Sequence, residues 1–128
     1  MLVDTPVWPM MLRRPRTSLS EAATLQALTA HGQALIIGAI RQEVLSSIKY
    51  ADQFTRVREQ LAFFPDIPLA HGHYKRAAEM YNACRAKGVQ GSNTDFLLCA
   101  VAELEDLRIF TTGQDFGRYA RHLPIKLL

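Results

Sequence analysis

Four carboxylates stand out in this sequence by what surrounds them: Asp4, Glu43, Asp95 and Asp115. Asp95 lies in the first turn of a predicted helix whose middle, Phe96 to Ala102, is apolar on every side. Such a pattern marks a helix buried all round. Leu98, Cys99 and Ala102 follow Asp95 at i+3, i+4 and i+7, so its carboxylate points along an apolar stripe. A carboxylate facing a core costs several kcal/mol unless a cation or donors compensate it. Asp4 directly follows a short apolar run, Asp115 lies just past the end of a predicted strand, and Glu43 sits near the start of a helix. Two like charges about 5 Å apart repel by roughly 3 kcal/mol at an effective dielectric near 20. Four gathered acids therefore call for protonation or for a cation. Hard divalent ions with oxygen ligands answer this need, and the absence of His or Cys beside the acids disfavours zinc. Carboxylate-held Mg²⁺ or Mn²⁺ serves phosphodiester chemistry by activating water and stabilising charge on phosphate. Each acid also has a plainer reading. Asp95 and Asp4 could serve helix starts through capping and the helix dipole, and Glu43 could be an exposed helical residue.

The elements that must carry these residues follow from periodicity. Met1 to Val3 reads as a strand ending at Asp4, with Thr5 as N-cap and Pro6 as first residue of a short helix holding Trp8 and Met10 to Leu12. Arg13, Arg14 and Arg16 form the densest basic cluster, a solvated surface or a phosphate-facing rim. Ser18 to Glu21 fits a capping box opening a helix that Gly32 closes. Ala34 to Ile37 reads as a second buried strand, followed by a helix from about Ala39 with Ile40, Val44 and Ile48 inward. Asp52 to Leu61 predicts another helix, and a very short strand is expected before Leu69. Tyr74, Ala77, Ala78 and Tyr81 define a helix ending at Gly88. His71 and His73 read as surface residues at its start rather than as metal ligands. Leu107 to Thr111 is a further strand, Asp115 to Tyr119 one or two helical turns, and Leu123 to Leu128 a last strand that Pro124 assigns to a sheet edge. Strands alternating with helices imply a three-layer α/β/α sandwich on a short parallel sheet of four to five strands. Ligands of such sheets gather at the carboxyl ends of the strands, where all four acids are expected.

Length and composition fit one domain over residues 1–128 with a real core. The apolar fraction of 48% and charged fraction of 21% are ordinary for a globular chain. The net charge of +3 is a mild basic bias, compatible with a polyanionic partner without requiring one. Cys84 and Cys99 lack metal spacing and read as reduced core thiols of an intracellular, cytoplasmic protein. No signal peptide is read at the start, where Asp4 and Pro6 interrupt the apolar run, and no stretch approaches a membrane span.

The sequence resembles the PIN-domain ribonucleases, and closely the VapC-type toxins of type II toxin–antitoxin systems. The resemblance is carried by Leu2-Val-Asp-Thr5 with Val7-Trp8, by Ile36-Ile-Gly-Ala-Ile-Arg-Gln-Glu-Val-Leu45, by Gly91-Ser-Asn-Thr-Asp-Phe-Leu-Leu-Cys-Ala-Val-Ala102, and by Ile109-Phe-Thr-Thr112 before Asp115-Phe116. It implies a PIN-like fold in which Asp4, Glu43, Asp95 and Asp115 form the acidic, metal-holding cluster. It implies Mg²⁺- or Mn²⁺-dependent endonucleolytic cleavage of RNA, neutralisation by a small VapB-like antitoxin, and homodimerisation. Thr5, Ser92, Thr94 and Thr112 are then the candidate supporting hydroxyls, and Arg13 and Arg14 the candidate RNA contacts. Two positions depart from the family pattern. Pro6 stands where a serine usually follows the threonine, and Gly113 stands where the Thr-x-Asp-x-Asp-Phe pattern has its first aspartate. These departures leave a second reading open, a catalytically weakened PIN domain that acts mainly by binding an antitoxin or RNA. A phospho-acceptor domain would need a second acid beside Asp4, and Thr5, Pro6 and Val7 supply none.

Overall fold

The computed structural model describes residues 1–13 and 34–128, so the predicted capping box and helix at 18–32, together with Arg14 and Arg16, lie outside the described residues. A three-stranded parallel sheet is built from β1 (Leu2–Val3), β2 (Arg108–Phe110) and β3 (Lys126–Leu127), in that order. Leu2 pairs with Ile109, and Ile109 with Leu127. On the other side of β1, Leu35 bridges Leu2 and Ile36 bridges Asp66, both in parallel. Among the described residues, the expected four to five strands are thus present as three strands and two single bridges. The backbone at 35–36 and at 66 pairs too briefly to make strands, through bonds such as Leu35 N–H to Met1 O at 2.9 Å and Ile67 N–H to Ile36 O at 3.0 Å. β1 therefore lies at the middle of the array and β3 at its edge, with Pro124 just outside the ladder.

Alternate residues of a strand face opposite sides of a sheet. Leu2 and Val3 are both fully buried, as are Ile109 and nearly all of Phe110, so both faces of the sheet are covered. This is the layered α/β arrangement that the alternation of elements predicts. Among the described residues the helices are α1 (Val7–Arg13), α2 (Gly38–Ser46), α3 (Ala51–Leu61), α4 (His71–Ala86), α5 (Asn93–Leu104) and α6 (Asp115–Ala120). In α5 every residue from Phe96 to Ala102 is buried, as its all-apolar sequence requires. Cys84 and Cys99 are free, buried thiols, and burial pushes both above the ordinary thiol range, which keeps them unreactive. No helix among the described residues is long and apolar enough to cross a membrane.

One expectation needs correction. α1 begins at Val7, after a turn closed by Val7 N–H to Asp4 O at 3.2 Å, so Pro6 precedes the helix and Thr5 is not its cap. In α4 the buried face is Ala77, Met80 and Cys84, while Tyr74 is exposed and Tyr81 half-buried. Two stripes of similar apolarity run along this helix. Met80 and Cys84 are fully buried, and Tyr81 still meets the Phe96 ring of α5 at 5.3 Å.

Arg41 fastens α2 to the chain entering from α3. Its guanidinium donates to Leu61 O at 2.9 Å, to Phe64 O, and through two nitrogens to Asp66 Oδ1 at 2.9 and 3.1 Å. A lysine has one compact ammonium and cannot repeat this fork. Each net hydrogen bond is worth about 1 kcal/mol. Arg41→Lys is expected to lower unfolding stability by roughly 1–2 kcal/mol, seen in urea as a shifted midpoint with an unchanged slope.

Candidate metal centre

The site begins at the end of the central strand. Asp4 follows β1, and its backbone N–H still bonds Phe110 O at 2.9 Å, so its position is fixed by the sheet. It is only 6% exposed, the one buried charged residue among the described residues. Its Oδ1 accepts from the Thr5 N–H at 2.8 Å and its Oδ2 from the Thr111 hydroxyl at 2.8 Å. Thr111 in turn accepts from the Gly113 N–H at 3.1 Å, which ties the loop after β2 to the carboxylate. Glu43, in the second turn of α2, accepts from the Thr5 hydroxyl at 2.7 Å. Thr5, which the sequence offered as a helix cap, thus links two acids, Asp4 through its backbone N–H and Glu43 through its hydroxyl.

Asp95 is the third residue of α5. Ser92 is the cap, accepting from the Asp95 N–H at 3.1 Å, so the capping reading of Asp95 does not hold for its side chain. The Asp95 carboxylate instead accepts from the Tyr119 hydroxyl at 2.7 Å. Asp115 opens α6 and is paired with Arg118 on the same short helix.

All four acids line one open hollow of about 220 Å³, with Thr5, Pro6, Thr111, Gly113 and Phe116. Burial comes first in raising Asp4 above the ordinary carboxylate range, against its bonds from Thr111 and Thr5, with repulsion from Asp95 and Glu43 adding to it. Asp95 is raised in the same way, by burial first and then by Asp115 and Glu43, against bonds from Tyr119 and Ser92. Among the described residues, Arg118 on Asp115 is the one cation paired with these four acids. The hollow's donors are hard oxygens only, which suits Mg²⁺ or Mn²⁺. Among the described residues no three acidic, histidine or cysteine side chains are drawn together into a cage for one ion. Mg²⁺ does not need one, since it keeps several waters and takes one or two carboxylates directly. Asp4, buried, and Asp95, half-buried, are the pair that would hold it, with Glu43 and Asp115 beside them in the same hollow.

Of the candidate supporting residues, Thr5 and Ser92 make the bonds just given. Thr112 is exposed and does not line the hollow, and its neighbour Thr111 serves Asp4 instead. Thr94 lines a separate hollow between α4 and α5. Arg13 is the last residue of α1, and Arg14 lies outside the described residues. Three contributors were not singled out in the sequence: Thr111, Tyr119 and Gly91. Thr111 was the nearer signal, as the first residue after a strand whose neighbour ends at an acid.

Residues 1–122 match the family model of the PIN domain. No curated protein matches the sequence. Among solved structures the chain is similar to one in the crystal structure of VapBC2 from Rickettsia felis bound to a DNA fragment from their promoter. Identity there is 18%, the TM-score 0.76, and 99% of this chain and 96% of that chain are covered. FitAcB from Neisseria gonorrhoeae gives 17% identity and a TM-score of 0.77 over 99% of this chain and 95% of the other. A toxin–antitoxin complex from Klebsiella pneumoniae gives 26% identity and a TM-score of 0.63 over 90% and 88%.

An acid raised above its unfolded value favours the folded chain while protonated. That stability, complete below the unfolded value near 3.8, is lost as pH rises through the raised folded value. Asp4→Asn removes one such group. Without metal, the stability of Asp4→Asn relative to the parent is therefore expected to improve as pH rises from about 3.8, and to match or exceed the parent at pH 7. Chemical unfolding of both proteins in chelator across this range checks the sign. A large loss in the variant at neutral pH would mark Asp4 as a structural anchor.

Proposed function

Since this chain belongs to the PIN-domain family, we propose that it is a divalent-metal-dependent endoribonuclease acting as the toxin of a toxin–antitoxin pair. The observation carrying this reading is the hollow at the carboxyl edge of the sheet, where Asp4, Glu43, Asp95 and Asp115 meet and Arg118, on Asp115, is the one cation paired with them among the described residues. Mg²⁺ or Mn²⁺ bound there supplies an activated water and charge stabilisation on a phosphate. Asp4 and Asp95 hold the ion. The hydroxyls of Thr111 and Tyr119 fix the orientation of these carboxylates at 2.8 and 2.7 Å. Glu43, tethered by Thr5, and Asp115, paired with Arg118, lie around them and orient water. Arg118, half exposed, neutralises part of the Asp115 charge and is placed to meet an incoming phosphate.

The partner is a cognate VapB-like antitoxin, as in the complexes whose chains this fold resembles. A second copy of the chain is the other partner. An open hollow of about 360 Å³ between α4 and α5 supports it, lined by the exposed Tyr74 together with Ala78, Tyr81 and Leu97. Sedimentation of the purified chain, alone and with antitoxin, tests both.

One observation favours a second reading, a PIN domain that binds more than it cuts. Gly113 lines the hollow at the position where the family pattern has an aspartate, so the site is one carboxylate short.

Purified protein incubated with RNA separates the readings. Cleavage is expected with Mg²⁺ or Mn²⁺, to stop in chelator, and to fall to background in Asp4→Asn and Asp95→Asn. Cleavage that persists in chelator or in both variants would defeat the metal mechanism. Gly113 has room for a side chain, because the nearest atom to an added Cβ is Thr111 Oγ1 at 3.7 Å. Gly113→Asp is expected to lower the Mg²⁺ concentration for half-maximal cleavage by about tenfold, equivalent to about 1.4 kcal/mol of added attraction. Pro6→Ser adds a smaller gain. Rate against Mg²⁺ concentration for each protein measures both, and an unchanged midpoint in Gly113→Asp would place position 113 outside the ion's reach.

A further inference from the structure

A carboxylate at the rim of an open hollow can turn about two side-chain bonds, and a metal site needs it held. Asp95 is held by a residue that does not itself line the hollow. The Tyr119 hydroxyl donates to Asp95 Oδ2 at 2.7 Å across 24 residues of sequence. Tyr119 itself is only 1% exposed. Its ring lies 4.9 Å from that of Phe96 and 5.2 Å from that of Phe116, so aromatic neighbours on α5 and α6 fix its plane. The hydroxyl reaches the carboxylate through a slot left by Gly91, just before the helix that carries Asp95. A Cβ at Gly91 would lie 2.4 Å from the Tyr119 oxygen, 2.8 Å from its Cζ and 2.9 Å from a Phe96 ring carbon. The left-handed region is occupied among described glycines by Gly88 and not by Gly91. Gly91 is therefore required for space rather than for backbone conformation.

We propose that Tyr119 is the positioning residue of the metal centre, aiming Asp95 at the ion, and that Gly91 is the seat that lets its hydroxyl arrive. The proposal rests on the reading of Asp95 as a metal ligand. A buried tyrosine always needs a partner for its O–H, so a purely structural role would give the same hydrogen bond. The two differ in what happens to the metal. A group that orients a ligand carboxylate changes metal affinity by about 10–100-fold when removed. A group that only satisfies a buried hydroxyl leaves that affinity alone.

The test is a titration of the full chain with Mn²⁺ alone, read by the loss of the free-ion paramagnetic resonance signal. Unfolding in chelator is measured alongside. Tyr119→Phe keeps the ring and is expected to weaken Mn²⁺ binding about tenfold or more. Gly91→Ala, which pushes the hydroxyl aside, is expected to weaken it similarly. In the Tyr119→Phe background, Gly91→Ala is expected to cost no further affinity, because both changes act through one hydroxyl. Gly91→Ala is also expected to be less destabilising in chelator in that background, since its closest clash has gone. Parent-like Mn²⁺ binding by Tyr119→Phe overturns the proposal while leaving the metal centre standing. Additive losses in the double variant overturn the role of Gly91. A parent protein that binds no Mn²⁺ overturns the metal reading of the hollow, and the positioning role falls with it.

Discussion

Asp4 is a carboxylate fixed to the end of a strand that is buried on both sides, and the sheet gives it no freedom to leave. Its backbone is committed to β2, its neighbours Leu2 and Val3 have no exposed surface, and three other acids share its hollow. Most of the surrounding structure can be understood as a response to that charge. The Thr5 amide and the Thr111 hydroxyl take up its two oxygens. Thr5 spends its own hydroxyl on Glu43, Tyr119 holds Asp95, and Arg118 sits on Asp115. Every acid in the group thus has a donor, yet only one of those donors is a cation. Hydrogen bonds steady the carboxylates and leave the excess charge for a ligand to neutralise.

The fold is arranged so that this charge collects on one edge. All three strands run in parallel, and the two bridges at Leu35 and Ile36 extend the same sense. Asp4 and the loop from Thr111 to Asp115 leave adjacent strands at the same end. α2, which carries Glu43, starts directly after the bridged residues. α5 brings Asp95 from the layer above, with Ser92 setting where that helix begins. Arg41, by locking α2 to Leu61, Phe64 and Asp66, fixes the platform from which Glu43 reaches Thr5.

How much of this could be read in advance depended on whether a residue's role was local. The four acids were legible because each follows a change of pattern, from an apolar run to a turn or into a helix. α5 was legible because no face of Phe96 to Ala102 is polar. The hydroxyl partners were harder. Thr111 and Thr112 are adjacent and chemically identical, and a step of one residue along an extended chain decides which meets Asp4. The inward face of α4 was ambiguous for a related reason, since Tyr74, Ala78 and Tyr81 offer as much apolar surface as Met80 and Cys84. The partnership of Gly91 with Tyr119 left no trace in either segment. A glycine before a helix reads as a loop residue, and only the packed structure reveals that an oxygen occupies the place of its missing side chain.

The long sequence separation of the bond between Thr111 and Asp4 bears on how the molecule comes into being. Those residues are 107 positions apart, so the first strand made must wait for β2, which follows nearly the whole chain, before its carboxylate gains that partner. Non-local pairings of this kind slow folding, because the loop must close before the contact rewards it. During synthesis at about 5–20 residues per second, a growing chain carries Asp4 for several seconds without the residues that complete its surroundings. A partly made chain has no assembled acidic hollow. The chemistry proposed for this protein is withheld from a nascent polypeptide by topology alone, and begins only when the segment through Tyr119 has been delivered and docked.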